Sequence, residues 1–349
     1  MRVGILNATG YAGGELLRFV AGHPDFELSG VTARSQAGAL LSDVWPWVRA
    51  TARPAYGDLR LAEELDGSFD LVVSCLPHNA SAAELEPFLA GGVPAVDVSA
   101  DYRFKDLAVY QRWYGPHPSP QWIERAVYGL TEYHRDDLRR TKLVANPGCH
   151  AVIAELALAP ALRAGLVEPS VVVDSKTGIS GAGRTNGPDF GYSEINESVN
   201  AYNVGAHRHG PEIAQELSEL AGEPVQITFV PHLVPMTRGI FVTAYGSLRA
   251  GATAAAVKDA YRDAYADEPF VHVVDEPPHT KWTSGSNHAF VCGEIDEANH
   301  MLVAMAVADN LGKGAAGAAV QNANVAVIRE FDAADLTILI EVACTYENH

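Results

Sequence analysis

The sequence is poor in basic residues. Its 349 residues include 25 Lys and Arg against 43 Asp and Glu, which gives a formal net charge of −18. A protein that binds nucleic acid through a basic face needs clustered Lys and Arg to neutralise phosphates. We therefore expect no nucleic-acid partner.

Long apolar segments are also missing. The longest purely apolar run, residues 301–308, has eight residues, whereas a membrane-spanning helix needs roughly 18 or more. The N-terminus, where Met1 and Arg2 lead directly into Val3, shows no apolar segment of signal-peptide length. We expect the mature protein to start where the sequence starts and to have no membrane partner.

Cysteine is scarce as well. The four cysteines Cys75, Cys149, Cys292 and Cys344 are spread over the whole length without a Cys-x-x-Cys pair. This spacing favours neither a disulfide framework nor a zinc site. We expect a cytoplasmic protein that keeps at least one thiol for chemistry.

What is present is a well-patterned globular chain, with 48% hydrophobic and 19% charged residues and a length that predicts two domains. Short aliphatic strands alternate with helical segments in its first part, which predicts a Rossmann-type doubly wound parallel sheet over residues 1–148. The predicted strands are 3–6, 26–31, 70–76, 93–98 and 143–145, with a helix over 80–90 and a loop over 101–120.

The pattern changes after residue 148. Strands at 171–173, 226–230 and 239–247, with helices over 151–164, 211–221 and 252–265, predict an α+β catalytic and oligomerisation domain with a mixed sheet over 149–311. A long helix over 315–329 would return to the first domain. We expect the C-terminal segment, about residues 312–349, to complete that domain.

A Gly-rich turn joins the first strand to the first helix. Its residues Thr9, Gly10, Tyr11, Ala12 and Gly13 would point backbone amides and a helix N-terminus at an anion, as in a dinucleotide pyrophosphate site. An ordinary Gly-rich turn is the alternative. Asn7 stands where the motif's first glycine is expected, although Asn tolerates positive φ better than most residues.

The end of the second strand bears on the choice of dinucleotide. An acid there would bind the ribose 2′-hydroxyl of NAD, whereas a cation accommodates the 2′-phosphate of NADP. Residues 31–35 contain no acid but offer Arg34 and Ser35, which favours NADP(H). A solvent-exposed arginine is the alternative.

Cys149 follows the turn Asn146-Pro147-Gly148 and precedes a helical segment. A thiolate at a helix N-terminus is stabilised by unpaired amides and the helix dipole, which is how a nucleophile is prepared. The alternative, a small buried cysteine, suits Cys75 and Cys292.

A nucleophilic thiol needs an acid or base nearby, and we expect His207, His209 and Glu212 to supply it. Pro211 reads as the first helical position and places His209 near a helix start. Two histidines at alternate positions could be metal ligands, but no third ligand follows a recognisable pattern, so we expect no metal.

Two further loops carry binding residues. Residues 176–184, with Ser180, Gly181 and Arg184, could hold a phosphate or the nicotinamide end of a cofactor. Residues 97–103 follow a strand and offer Arg103 as a clamp for a carboxylate or phosphate. Either loop could be merely structural. We expect Arg103, Ser99, Asn146 and Arg184 to bind substrate, and Ser180 and Gly181 to bind cofactor.

Seven segments in one order resemble the N-acetyl-γ-glutamyl-phosphate reductases of arginine biosynthesis, which are relatives of aspartate-semialdehyde dehydrogenase. They span roughly residues 1–330: 8–16, 76–78, 97–103, 146–149, 180–184, 201–209 and 309–316. The resemblance implies NADPH, a small-molecule acyl phosphate, a thioester on Cys149, and His207 or His209 as the proton-transfer residue. It also implies Asn310 near the cofactor and a homodimer or homotetramer. By analogy with a catalytic triad, Glu212 could orient a histidine.

The sequence departs from that family at Asn7, at His150, where an aromatic residue is usual, and at Val152, where Thr is common. The tail 331–349 is unlike the family's usual ending and could add a strand or an interface segment. Two alternatives stay open. One is a reductase of a carrier-protein-linked acyl phosphate, which the negative charge disfavours because such carriers are acidic. The other is a non-catalytic NADP-binding sensor.

Overall fold

A computed structural model describes residues 1–184 and 187–327. The chain divides into two compact units. Unit 1 consists of Met1–Pro147 together with the described residues from Ala315 onward, and unit 2 is Gly148–Gly314. Within the described residues, no helix is both long and apolar enough to cross a membrane.

Unit 1 is built on a six-stranded sheet in which every strand pair is parallel, in the order β2-β1-β3-β4-β6-β5. This confirms the predicted parallel sheet. The strands are β1 Arg2–Leu6, β2 Glu27–Val31, β3 Leu71–Ser74, β4 Ala95–Asp97, β5 Ala126–Tyr128 and β6 Leu143–Ala145. The helices are α1 Tyr11–Gly22, α2 Leu41–Val44, α3 Ala80–Ala90, α4 Leu107–Tyr114 and α5 Thr131–Leu138.

Helix α4 corrects the sequence analysis, which predicts a loop over 101–120. The side chain of Asp106 accepts a hydrogen bond from the amide of Ala108 at 2.7 Å and so caps the helix. Gly115, with φ 83°, ends it. Both signals stand in the sequence, but the surrounding prolines and the short length of eight residues obscured them.

Unit 2 is built on a seven-stranded mixed sheet in the order β11-β12-β13-β10-β7-β9-β8. Its strands are β7 Val167–Thr177, β8 Asn200–Ala201, β9 Gln226–Leu233, β10 Ile240–Leu248, β11 Val271–Val273, β12 Ala289–Asp296 and β13 Met301–Ala308. Its helices are α6 Cys149–Arg163, α7 Tyr192–Ile195, α8 His209–Ala221 and α9 Ala254–Tyr265. The predicted mixed sheet is thereby confirmed, although the sequence analysis does not predict β8, β11, β12 or β13.

Helix α6 packs against the centre of this sheet and is buried along nearly its whole length. The hydroxyls of Tyr261 and Tyr265 on α9 donate to the carbonyls of Ala157 and Leu156, the latter at 2.6 Å. These bonds attach α6 to α9. The face of the sheet that points away from α6 carries a cross-strand row of side chains that are exposed or half-buried: Thr228, Val172, Tyr245, Val303 and Glu294.

The chain returns to unit 1 through a π-helical turn, Gly312–Ala316, and helix α10, Gly317–Val327. Asn322 is fully buried on α10. Its Nδ2 donates to the carbonyl of Gly129 at 2.8 Å and to Oδ1 of Asn146 at 3.0 Å, and its Oδ1 accepts from Thr131 Oγ1 at 2.7 Å. The predicted continuation of this helix to 329, the rest of the C-terminal segment to 349 and the strand considered for residues 331–349 lie outside the described residues.

Candidate active site

The loop between β1 and α1 begins with a residue at positive φ. Asn7 has φ 62°, in the left-handed region that Gly and Asn adopt most readily. Its Nδ2 donates to the carbonyl of Cys75 at 2.9 Å, and its amide donates to Thr32 Oγ1 at 3.1 Å. Asn7 therefore adopts a backbone conformation that favours glycine, and one side-chain and one backbone hydrogen bond hold it there.

The start of α1 is suited to receive an anion. Gly10 is the N-cap, and no side chain among the described residues caps the helix there. A Cβ on Gly13 would lie 2.5 Å from the carbonyl oxygen of Asn7, whereas no described heavy atom lies within 4 Å of a Cβ built on Gly10. The loop therefore packs tightly on its inner side and leaves space at Gly10, a combination that fits a pyrophosphate.

Arg34 and Ser35 begin a short 3₁₀ turn after β2, and both are exposed. The Arg34 guanidinium pairs with the carboxylate of Glu84 on α3. The pair lies at the carboxyl end of the sheet's second strand, where a doubly wound fold discriminates between NAD and NADP.

Three predicted substrate residues meet in unit 1. Arg103 is buried and donates through Nε to the carbonyl of Asn146 and through Nη2 to that of Val98, both at 2.8 Å. Asn146 Nδ2 donates to the carbonyl of Ala315 at 3.2 Å. Ser99 Oγ donates to Asp97 at 2.8 Å. Burial, and then the neighbouring Asp101, raises the pKa of Asp97 to about 6.

Cys149 is the first residue of α6 and is half-buried. Gly148 is the N-cap, and its amide donates to Glu212 Oε1 at 2.7 Å. Glu212 is fully buried on α8, so its carboxylate links the start of α6 to the first turn of α8. This bond holds the backbone of the residue before Cys149; the predicted role of Glu212 in orienting a histidine stays a prediction.

The other described cysteines are poor nucleophiles. Burial raises the pKa of Cys75 to about 12, with a further contribution from Asp97. Burial, and then Glu294, raises the pKa of Cys292 to about 11. Since a thiolate is the reactive form, neither thiol is prepared for catalysis. Cys344 lies outside the described residues.

The two predicted histidines lie beside each other at the start of α8. The helix begins at His209, two residues before the predicted start at Pro211. The rings of His207 and His209 are 4.8 Å apart between centroids, and His207 Nδ1 accepts the amide hydrogen of His209 at 3.1 Å. Burial, and then the charge of Arg208, lowers the pKa of His207 to about 4.

A third imidazole joins them, and the sequence analysis did not assign it a role. His150 lies with its ring centroid 5.6 Å from that of His207 and 5.5 Å from that of His209. Its Nδ1 is hydrogen-bonded to Ser175 Oγ at 2.7 Å, and its Nε2 is hydrogen-bonded to Tyr202 Oη at 2.9 Å. Burial, and then His207, lowers its pKa to about 3. The signal was available in the sequence, because His150 directly follows Cys149, the predicted nucleophile, at a position where the resemblance leads us to expect an aromatic residue.

The ligand atoms of Cys149, His150 and His209 all lie within 4.8 Å of one another. His207 is not a member of this group. Cys149 and His150 come from α6 and His209 from α8, so the group unites two elements that are distant in sequence and follows no linear spacing pattern.

Ser180 and Asn310 also come together in unit 2. Asn310 Nδ2 donates to Ser180 Oγ at 2.9 Å, and its Oδ1 accepts the amide hydrogen of Gly239 at 2.8 Å. Gly181 follows Ser180 in the same 3₁₀ turn, while Arg184 lies just beyond that turn, at the end of a described range.

Comparison with known proteins places both units in one family. Residues 2–141 match the NAD binding domain of semialdehyde dehydrogenase, and residues 149–310 match its dimerisation domain. An N-acetyl-gamma-glutamyl-phosphate reductase from Dehalococcoides mccartyi is 48% identical over 326 residues, which cover 93% of this chain and 94% of the relative. One from Brevibacillus brevis is 43% identical over 329 residues, which cover 93% and 95%. The chain belongs to the N-acetyl-gamma-glutamyl-phosphate reductase family.

Solved structures agree with this family at the level of the fold. Aspartate semialdehyde dehydrogenase II from Vibrio cholerae aligns with a TM-score of 0.71 and 19% identity, over 95% of this chain and 99% of that one. The enzyme from Candida albicans, solved with NADP, aligns with a TM-score of 0.67 and 17% identity, over 93% and 97%. The reductase family therefore shares its two-unit architecture with the semialdehyde dehydrogenases.

Proposed function

We propose that this chain reduces N-acetyl-γ-glutamyl phosphate to N-acetylglutamate semialdehyde and inorganic phosphate with NADPH, in arginine biosynthesis, through a thioester on Cys149. The observation that carries this proposal is the position of Cys149, which begins a helix beside two histidines in a member of the reductase family.

The first half of the reaction needs a nucleophile. The Cys149 thiolate attacks the acyl carbon, the C–O bond to phosphate breaks, and inorganic phosphate leaves with the bonding electron pair. The N-terminal amides of α6 favour the thiolate before the attack. The bond from the Gly148 amide to Glu212 holds the nucleophile's backbone in place throughout.

The second half needs a proton at the carbonyl oxygen. We assign its transfer to His209, because the lowered pKa of His207 keeps that ring neutral at pH 7. His207 accepts the backbone N–H of His209 and therefore acts as its positioning residue. When the hemithioacetal collapses, the C–S bond breaks with its electron pair on sulfur, the proton on the oxygen returns to His209, and the Cys149 thiolate and the free aldehyde are formed.

NADPH, when bound, supplies the hydride for this step. In our proposal the loop of Thr9, Gly10, Tyr11, Ala12 and Gly13 holds its pyrophosphate, as the open space at Gly10 supports. Arg34 and Ser35 bind the 2′-phosphate after Arg34 has released Glu84. A second group of residues, consisting of Ser180, Gly181 and Asn310, binds its nicotinamide end.

Substrate binding is assigned to Arg103, Asn146, Ser99 and Arg184. Arg103 is the best supported, because two backbone carbonyls fix its planar guanidinium, and a fixed guanidinium recognises carboxylate or phosphate with little loss of entropy. Ser99 is the least supported, because its hydroxyl already donates to Asp97.

The test is the reverse reaction. NADP reduction is followed with N-acetylglutamate semialdehyde, with and without inorganic phosphate, in the wild type, in Cys149→Ala and in Cys292→Ala as a matched buried-cysteine control. We expect phosphate-dependent reduction in the wild type and the control, and a loss of at least about a thousandfold in Cys149→Ala.

An inactive wild type that still binds NADP would contradict the proposed substrate and direct the search to carrier-linked acyl phosphates. Full activity in Cys149→Ala would contradict the thioester mechanism itself.

We further infer that the chain works in the cytoplasm as a homodimer or homotetramer. The reductants of the cytoplasm keep thiols such as that of Cys149 reduced. Residues 149–310 match a dimerisation domain, and the half-exposed row that includes Val172 and Tyr245 offers a sheet face for pairing.

A further inference from the structure

We propose that Cys149, His150 and His209 form a binding site for a thiophilic divalent cation such as Zn²⁺, and that the bound ion blocks the nucleophile. One thiolate and two imidazoles are the ligand types that Zn²⁺ prefers. The blocking effect rests on the proposed function, whereas the binding itself does not.

The distances require only a modest contraction. The three ligand atoms lie within 4.8 Å of one another, and a tetrahedral zinc site, with bonds of about 2.0–2.3 Å, brings its ligands to roughly 3.3–3.6 Å. Cys149 and His150 begin α6, and His209 begins α8. Because Glu212 on α8 accepts the Gly148 amide at the start of α6, the two helix starts are already joined, and side-chain rotation can supply the rest.

His150 also has the outer contact that a metal-binding histidine needs. Metal-ligating imidazoles usually donate their second N–H to an oxygen, which fixes the tautomer and the ring. Ser175 Oγ lies 2.7 Å from His150 Nδ1 and serves this purpose. The ion would then bind Nε2 and displace the hydroxyl of Tyr202, which lies 2.9 Å from it.

In the binding step, the metal ion replaces the proton on the Cys149 sulfur. The Cys149 sulfur gives up its proton to solvent as the S–Zn bond forms, and each imidazole contributes the lone pair of one unprotonated ring nitrogen. Water completes the fourth position. The sulfur lone pair that would attack the acyl phosphate is then held by the metal, and a chelator restores it.

His150 makes this site particular to chains that carry it. The family resembled by the sequence usually has an aromatic residue at this position, which offers no ligand atom of this kind. His150→Phe therefore removes one ligand and restores the usual residue type, which makes it the most informative variant.

The test is a Zn²⁺ titration of the full chain against a chromophoric chelator, without substrate or cofactor. We expect His150→Phe and His209→Asn each to raise the dissociation constant for Zn²⁺ at least about tenfold. His272→Asn serves as the control, because it changes a histidine of the separate His272–His288 pair and should leave zinc binding unchanged.

Cobalt provides a readout that does not depend on activity. With Co²⁺ we expect a thiolate-to-cobalt charge-transfer band in the wild type and its loss in Cys149→Ser. If His150→Phe fails to fold, as judged by its melting curve, Ser175→Ala replaces it and should weaken binding by about tenfold through the lost outer contact.

Equal zinc affinity in the wild type and the ligand variants would overturn the site, and so would a cobalt spectrum without the charge-transfer band. Unchanged turnover with the ion bound would overturn the blocking effect. If the chain fails to use N-acetylglutamate semialdehyde but binds Zn²⁺ through these residues, the proposed function fails while the metal site stands.

Discussion

Asn7 shows how one side chain can replace a glycine without loss of geometry. Its φ of 62° would strain most L residues, but the bonds from its amide and its side chain to Thr32 and Cys75 hold it in place. The sequence predicts this tolerance because Asn enters the left-handed region more readily than other residues. The sequence does not reveal which carbonyl accepts the hydrogen bond from the Asn7 side-chain amide, because that carbonyl belongs to Cys75, in the loop after another strand.

We expect Asn7→Ala to destabilise the protein by about 1–3 kcal/mol, because Ala loses the side-chain hydrogen bond and is strained at positive φ. Asn7→Gly also loses that bond but has no strain, so its melting temperature should fall less. Thermal unfolding of the three proteins measures the difference. An equal fall in Ala and Gly would show that backbone conformation is not the cause.

His150 marks the limit of sequence reasoning at the same scale. A histidine next to a nucleophilic cysteine is visible in the sequence, but consecutive helical residues normally point in different directions. What brings His150 toward His209 is the start of α8, and that proximity is a property of the tertiary packing.

At the scale of elements, the starts of α6 and α8 determine the site, and the sequence predicted both helices to within two residues of their observed starts. It missed β13 for a physical reason: an eight-residue run of apolar side chains has no period that distinguishes a buried strand from a buried helix. It missed β12, whose neighbours β11 and β13 supply the pairing that its local sequence does not indicate.

Two histidines, His272 and His288, lie in contact where β11 pairs with β12. His272 Nε2 is 2.8 Å from His288 Nδ1. Burial, and then His272 and Lys313, lowers the pKa of His288 to about 4, and burial lowers that of His272. The unfolded chain therefore binds protons below pH 6.5 that the folded chain does not, so stability should fall as pH drops from about 6.5 toward 4.

We expect His288→Gln to remove part of this dependence, because Gln keeps a hydrogen-bonding side chain but does not titrate. Melting temperatures of the wild type and the variant between pH 7 and pH 5 test this. The wild type should lose more stability than the variant over that interval; parallel curves would contradict the assignment.

At the scale of the whole molecule, the sequence predicted a parallel first sheet and a mixed second sheet, because alternating strands and helices differ in pattern from strand-rich segments. The half-exposed face of the second sheet could not be predicted. Its row of residues comes from strands β9, β7, β10, β13 and β12, whose order in the sheet differs from their order in the sequence.

We expect sedimentation equilibrium to give a molecular mass two or four times the 37.3 kDa of one chain. Val172, which is 42% exposed on that sheet face, should shift the protein toward the monomer when changed to Lys, because a charge would be buried unpaired in the interface. Val204→Lys is the matched control, since Val204 is 60% exposed and lies outside the sheet. Equal masses for the two variants would remove this face as the interface.

The course of the chain also sets an order of folding during synthesis. Unit 2 is continuous from Gly148 to Gly314, whereas unit 1 needs α10, whose Asn322 binds Gly129, Thr131 and Asn146. A ribosome translating this message therefore releases the N-terminal 147 residues long before their last helix exists. Unit 2 can complete its fold first, and the loop between β1 and α1 must wait for the synthesis of α10 before its own unit is whole.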